Sequence, residues 1–372
     1  MTPVTKPYLP PLADILPHLE SMWDSRLLSN NGPLHSKLET ELGAFLGERH
    51  LSLFCNATIG LITAQQALAI KGEVITTPYS FVATTHAIKW MGNEPIFVDI
   101  EPDSLCMDPA KIEKAITSKT AAIMPLHCYG NTCRTADIQD IADKHGLKVI
   151  YDACHSFGIN DEKGSVLRHG DVSVVSFHAT KVFNTFEGGL LVAPDNETKH
   201  KVDNLKNFGF VDETVVIESG INGKMSEFNA AVGLAQLSHF PTIIEKRCRV
   251  DSLYRDLLNP VKGIQCWKPV RQKRRNYSYF PIFIQDHYPL SRDALYSLLK
   301  KNDIFGRRYF YPLIPEFTMY RSIFSGRPAN IPNAYEAARR VICLPIYPDL
   351  SLSEVERISN VIFNAGSAKR SR

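Results

Sequence analysis

No stretch of the 372 residues reaches the roughly 18 consecutive apolar positions that a bilayer span needs, and no basic start followed by an apolar run marks a secretory leader. A cytoplasmic protein with no membrane partner is expected. Gly/Ser and Gln/Asn tracts are missing, so the composition stays in the ordinary globular range. An excess of one charge is missing too: 42 basic against 39 acidic residues leave a net +3, too even for a nucleic-acid surface. The one dense basic run is Arg271, Lys273, Arg274 and Arg275. It reads either as a solvated loop before a strand or as a site for a polyphosphate-bearing ligand. No candidate strand is followed by a G-x-G-x-x-G turn, which argues against a nicotinamide-dependent sugar-nucleotide enzyme. The eight cysteines are scattered, and several, such as Cys55, Cys154 and Cys343, lie in or beside strand-like runs. Reduced packing thiols are expected. His127, Cys128 and Cys133 cluster but lack a second ligand pair at zinc-finger spacing, so no metal site is assigned.

What is present is a chain long enough for more than one core, with 44% hydrophobic residues. Short apolar runs alternate with helix-period segments from Leu51 to Pro194, the pattern of βαβ units and a mostly parallel sheet. Seven strands are predicted: Leu51–Phe54, Val74–Thr76, Pro95–Val98, Ala121–Pro125, Lys148–Tyr151, Val172–Ser176 and Leu190–Val192. Helices are predicted between them at Ala57–Ile70, Ala83–Trp90, Pro109–Ile116 and Ala136–His145. A helix over Ser226–Leu237, with Ser226 as N-cap, leads toward a smaller α+β unit. That unit holds a strand at Tyr277–Ile284 and helices near Ser291–Lys300, Ala334–Val341 and Leu352–Phe363. The division is placed at 1–248 and 249–372, and the tail Ser367–Arg372 is expected to fray.

Four strand ends carry the chemistry. Lys181 follows the apolar strand ending at Ser176 and precedes Glu187-Gly188-Gly189, where a partly desolvated amine can form a Schiff base. Taken alone, a strand-end lysine is more often solvated. Asp152 terminates Val149-Ile150-Tyr151 and would face the crevice where open sheets collect ligands. A buried carboxylate there needs a cation, and a protonated pyridine nitrogen is one; a helix cap is the other reading. Phe54-Cys55-Asn56-Ala57-Thr58 runs a strand into small and hydroxyl residues at a helix start, a phosphate-favouring end. Phe81, past another strand, reads as a stacking ring or as core.

In this order, the segments at Asn56–Thr58, Ser80–Thr84, Asp152–Gly158 and Ser176–Gly189, with Gly220–Leu237 and Leu344–Ser351, resemble the DegT/StrS sugar aminotransferases, a branch of the fold-type I pyridoxal-phosphate enzymes. The resemblance implies an α/β fold with a large, mostly parallel sheet domain and a smaller C-terminal domain. It implies pyridoxal 5'-phosphate held covalently by Lys181, which then moves protons, with Asp152 on the ring nitrogen and His155 beside the phenolic oxygen. It implies Phe81 stacked on the ring, and Ala57, Thr58 and Ser176 on the phosphate. Asn222 would come from the second subunit of a homodimer with shared sites, although a plain turn residue is the other reading. The same resemblance implies L-glutamate as donor and a nucleotide-linked keto sugar as acceptor, with no metal. The acceptor expected is dTDP-4-keto-6-deoxy-D-glucose, aminated at C4 for O-antigen lipopolysaccharide; amination of the 3-keto isomer is the alternative, and a non-catalytic sensor is the alternative of another class. Arg308, Tyr309 and Tyr311 are candidate substrate contacts, beside a Phe310 that stands where many relatives have His.

Overall fold

The computed structural model describes residues 1–367; residues 368–372, within the tail expected to fray, lie outside the described residues. The chain enters through two helices, α1 (Leu12–Ser25) and α2 (Pro33–Leu46), which the pattern did not predict. Pro17 inside α1 and the absence of a capping side chain at Gly32 hide both starts.

The seven expected strands all form. They are β1 (Leu51–Phe54), β2 (Glu73–Thr76), β3 (Glu94–Phe97), β4 (Thr120–Met124), β5 (Lys148–Asp152), β6 (Val172–Ser176) and β7 (Gly189–Val192). Their order across the sheet is β1-β7-β6-β5-β4-β2-β3. Only β7 runs antiparallel to its neighbours, with Gly189 opposite both Phe54 and Ser176. This register brings the last residues of β1 and β6 and the first of β7 to one edge. Both faces are covered, so the strands are buried throughout much of their length.

Helices α3 (Ala57–Ala67), α4 (Ala83–Trp90), α5 (Thr135–His145) and α6 (Asn196–Leu205) complete the large unit. The helix expected to reach Ile70 stops at Ala67, because the chain turns through a left-handed Ala69. The segment expected as one helix over Pro109–Ile116 is a single α-turn, Pro109–Ile112, continued by a 3-10 turn. Helix α7 starts beside its predicted cap Ser226 but spans Glu227–Leu258, 32 residues, passing Leu237 and Pro241 without a break. Tertiary burial carries it past the proline. Phe240 and Ile243 pack into the large unit's core, and Val250, Tyr254 and Leu258 into a second one. The proposed division at 248 falls in this interval. Beyond it, β8 (Ile264–Cys266), β9 (Phe280–Ile284) and β10 (Val341–Leu344) form an antiparallel sheet covered by α8 (Arg292–Lys301), α9 (Pro332–Arg340) and α10 (Leu352–Ser367). Thr2–Pro3 pair in parallel with Ile304–Phe305, so the first residues join this second unit. Among the described residues no helix is long and apolar enough to cross a membrane.

One carboxylate ties α2 to α7. Glu227, almost fully buried, accepts the amides of Leu34 and His35, each at 2.8 Å, and so caps the helix that Gly32 cannot cap. A Cβ on Gly32 would lie 2.6 Å from the Glu227 side chain, which explains the glycine. Glu227→Ala strands two buried amides, and it should cost about 2–3 kcal/mol of stability. Urea denaturation of the two proteins measures this, and an unchanged midpoint would show that the cap is dispensable.

Candidate active site

The ends of β1, β5 and β6, the start of β7 and the turn after β2 converge on one edge of the sheet. Asp152 closes β5 and is only 4% exposed. Its Oδ1 accepts the Cys154 amide at 3.1 Å and its Oδ2 the Thr84 hydroxyl at 2.7 Å. The chain turns sharply after Asp152, and three residues on His155 is buried on the same side.

His155 Nδ1 accepts the backbone N–H of Tyr129 at 3.2 Å. Burial first, and then the charge of Lys181, hold the imidazole well below its usual range, so the ring is neutral. With Nδ1 an acceptor, the proton sits on Nε2, which makes His155 a hydrogen-bond donor. Tyr279 packs edge-on against it with ring centroids 4.8 Å apart, and Asn276 and Ser278 hold the His155 carbonyl. Lys181, half-buried, sits in a turn closed by its own amide to the His178 carbonyl, and it lines one cleft with Cys154, His155, Ser176 and Tyr279.

The phosphate-favouring turn lies beside this cleft. Asn56 Oδ1 caps α3 through the Ile59 amide at 2.9 Å. The amides of Ala57 and Thr58, at the helix's first two positions, have no carbonyl a turn behind them and point outward. Gly189 lies against this turn, and a Cβ there would meet the Ala57 nitrogen at 2.8 Å. The site-end glycine is therefore required for β7 to run beside the cradle. Ser176, at the end of β6, is buried alongside and accepts the His178 amide at 3.3 Å.

Phe81 is 62% exposed, a turn before Thr84 and so close to Asp152, with an open ring face. Asn222 is exposed at the end of the 207–221 hairpin, next to Gly223, whose carbonyl takes the Cys55 amide at 2.8 Å. The three candidate substrate contacts are separated. The Tyr309 ring packs against Tyr279, and its carbonyl is held by the hydroxyls of Tyr79 and Tyr129. Arg308 and Tyr311 turn the other way, stacked together at 4.8 Å, with Arg308 paired to Asp293 on α8. Tyr311 lines a cavity of about 800 Å3 in the smaller unit.

Residue reading alone did not assign Thr84, Tyr129 or Tyr279 to this site. Thr84 stood inside a quoted motif, and its hydroxyl four residues after Ser80 was the available signal. Two other candidates resolve as packing. Each of Arg271, Lys273 and Arg275 in the basic run meets an acid, Glu101, Glu162 and Asp251 respectively, and Arg274 lies over Phe45. His127 and Cys133 bond each other through the Cys133 amide, and all eight cysteines are free thiols.

The buried Asp152 carboxylate, the Lys181 amine, the neutral His155 imidazole and the first amides of α3 lie along one sheet edge, and this donor set fits pyridoxal phosphate, the cofactor of the fold-type I enzymes. The chain belongs to the DegT/DnrJ/EryC1/StrS aminotransferase family, whose model matches residues 13–363. It is 55% identical to a dTDP-4-amino-4,6-dideoxy-D-glucose transaminase of Shigella dysenteriae, over 96% of this chain and 97% of that one. An Escherichia coli transaminase of the same name is 53% identical over 97% of each. Among solved structures, that of DesI with its TDP-sugar product superposes with a TM-score of 0.94 at 33% identity, covering 99% of this chain and 94% of the other.

Two neutral histidines give the fold a pH dependence. His127, stacked on Tyr151 at 4.6 Å, is pushed by burial down to about 3, and His155 is lowered likewise. In the unfolded chain both take a proton near pH 6.5. Their contribution is therefore complete above that pH and is lost as pH falls below it, for His127 until about 3. Urea denaturation should show His127→Phe losing about 1 kcal/mol less than the parent between pH 6 and 5. Parallel losses would place a proton on the folded imidazole.

Proposed function

We propose that this protein moves the amino group of L-glutamate to C4 of dTDP-4-keto-6-deoxy-D-glucose, giving dTDP-4-amino-4,6-dideoxyglucose for O-antigen assembly in the cytoplasm. The observation that carries the reaction is the meeting of Lys181, Asp152 and His155 beside the α3 cradle; the near full-length likeness to the two bacterial transaminases supports the sugar.

Pyridoxal phosphate, when bound, supplies the carbonyl that takes up nitrogen and a ring that withdraws electrons. The amides of Ala57 and Thr58, with the hydroxyls of Thr58 and Ser176, hold its phosphate. Asp152, its two oxygens oriented by one donor each, would pair with the ring nitrogen. His155 Nε2–H would donate to the phenolic oxygen, and Phe81 would stack on the ring. As a free amine Lys181 would take the proton from the amino-bearing carbon of the donor and pass it to the cofactor within the same half of the exchange, and in the other half it would carry a proton to the sugar carbon that receives the nitrogen. Tyr309, packed on Tyr279 beside His155, is the candidate sugar contact nearest these groups, whereas Arg308 and Tyr311 pack on each other.

The shared-site homodimer belongs to the same reading. The 207–221 hairpin exposes Phe208, Val211, Val216 and Ile217, an apolar face suited to burial against a second copy. Asn222 ends this hairpin and would cross to the partner's phosphate.

Lys181→Ala should abolish transamination in a protein that still unfolds cooperatively at the parent temperature; retained steady-state turnover would overturn the assignment. The product made by the parent from candidate keto sugars, identified by NMR, decides between C4 and C3.

Subunit exchange tests the sharing. Lys181→Ala and a variant of Asn222 to glutamate, each inactive, are mixed equally. Mixed dimers then contain one intact site, and activity should return to about a quarter of the parent, since random pairing makes half the dimers mixed. No recovery despite proven exchange would place Asn222 in its own subunit's site.

A further inference from the structure

The Asp152 carboxylate is approached from inside the protein by a chain of hydroxyls. Ser80 Oγ lies 2.7 Å from Thr84 Oγ1, and Thr84 Oγ1 lies 2.7 Å from Asp152 Oδ2. All three side chains are buried, with exposures of 4%, 1% and 4%. A threonine hydroxyl has one proton and two acceptor positions. Three oxygens compete for the Thr84 proton: Asp152 Oδ2 at 2.7 Å, Ser80 Oγ at 2.7 Å and the Phe81 carbonyl at 3.2 Å, and only the first belongs to a carboxylate. The carboxylate takes it. The Ser80 proton must then point to Thr84 Oγ1, because Thr84 has no second proton to offer. Direction therefore runs from Ser80 through Thr84 to Asp152.

We propose that Thr84, aligned by Ser80, is a positioning residue that holds Asp152 correctly rotated for the cofactor's ring nitrogen. The proposal rests on the assignment of Asp152 to that nitrogen. The Cys154 amide fixes Oδ1 from the following turn, and Thr84 fixes Oδ2 from the first turn of α4. With one donor on each oxygen the carboxylate plane is set. A lone pair remains on each oxygen for an incoming N–H. Without Thr84, the carboxylate keeps only the Cys154 amide as donor and is freer to rotate away from the ring nitrogen. Thr84 also links this carboxylate to Phe81: α4 begins on the same turn that presents the stacking ring, so the two cofactor contacts move together.

The test uses the full-length protein and four variants: Thr84→Val, which is nearly isosteric, Thr84→Ser, Asp152→Asn and the double variant. Thr84→Val should lower kcat about tenfold with KM for both substrates changed less than about twofold. Equilibrium binding of pyridoxal phosphate to the apoprotein should weaken, and the pH at which the bound cofactor's visible band titrates should shift. Thr84→Ser keeps the hydroxyl and should restore all three readouts. In the Asp152→Asn background, Thr84→Val should add nothing, because Thr84 acts through that carboxylate. If Thr84→Val matches the parent in rate, cofactor affinity and titration, the proposal is wrong. It is equally wrong if the two losses multiply, which marks a merely structural threonine. Should Thr84→Val fail to fold, Ser80→Ala decides by the same readouts: it leaves Thr84 and Asp152 in place and should give a smaller loss in the same direction, and parental values overturn the proposal. Failure of the underlying assignment looks different: Asp152→Asn itself would then retain activity.

Discussion

A carboxylate can stay charged at the buried end of a parallel strand only if donors converge on it, and the active edge of this sheet is organised around that need at Asp152. The tight turn after β5 returns the Cys154 amide to one oxygen, and the turn after β2 delivers Thr84 to the other. The same turns present His155 and Phe81. Fixing one carboxylate thus fixes the approach of two other groups. Lys181 and the α3 cradle arrive from β6 and β1, whose ends are brought level by the shared register at Gly189.

Those parts were legible in the sequence because they sit at strand ends, where an apolar run stops at a residue with chemistry. Asp152, Lys181, Ser176 and the Asn56–Thr58 turn could be read this way, and so could the seven strands. What could not be read depends on residues far apart in the chain. The cap of α2 comes from Glu227, almost two hundred positions away, so neither Gly32 nor its neighbours announce a helix. Helix α7 runs through Pro241 because two cores hold it, a condition no local window contains. Thr84 looks like a helix hydroxyl until its partner on β5 is known. Arg308 and Tyr311 share a short motif with Tyr309, yet the backbone turns them to the opposite side, and spacing alone carries no such direction.

The two units are joined by buried polar contacts as well as by α7. Asp99, after β3, caps α9 through the amides of Asn333 and Ala334 while accepting Lys111 at 2.8 Å. Tyr79 and Tyr129 send their hydroxyls to the Tyr309 carbonyl, and the Trp267 indole donates to the Asp103 carbonyl. The cations of the basic run add three ion pairs, two of which, from Arg271 and Lys273, reach acids of the large unit. Tyr129 matters twice, since its backbone amide also sets the tautomer of His155. The rigidity of the joint and the chemistry of the cleft therefore meet in one residue.

The pairing of Thr2–Pro3 with Ile304–Phe305 bears on how the molecule is made. Some three hundred residues separate the two partners, so this short ladder is a non-local contact of the slowest kind. Through this ladder the smaller unit holds the chain on both sides of the large one, so the two units share a boundary at Thr2–Pro3 as well as along α7.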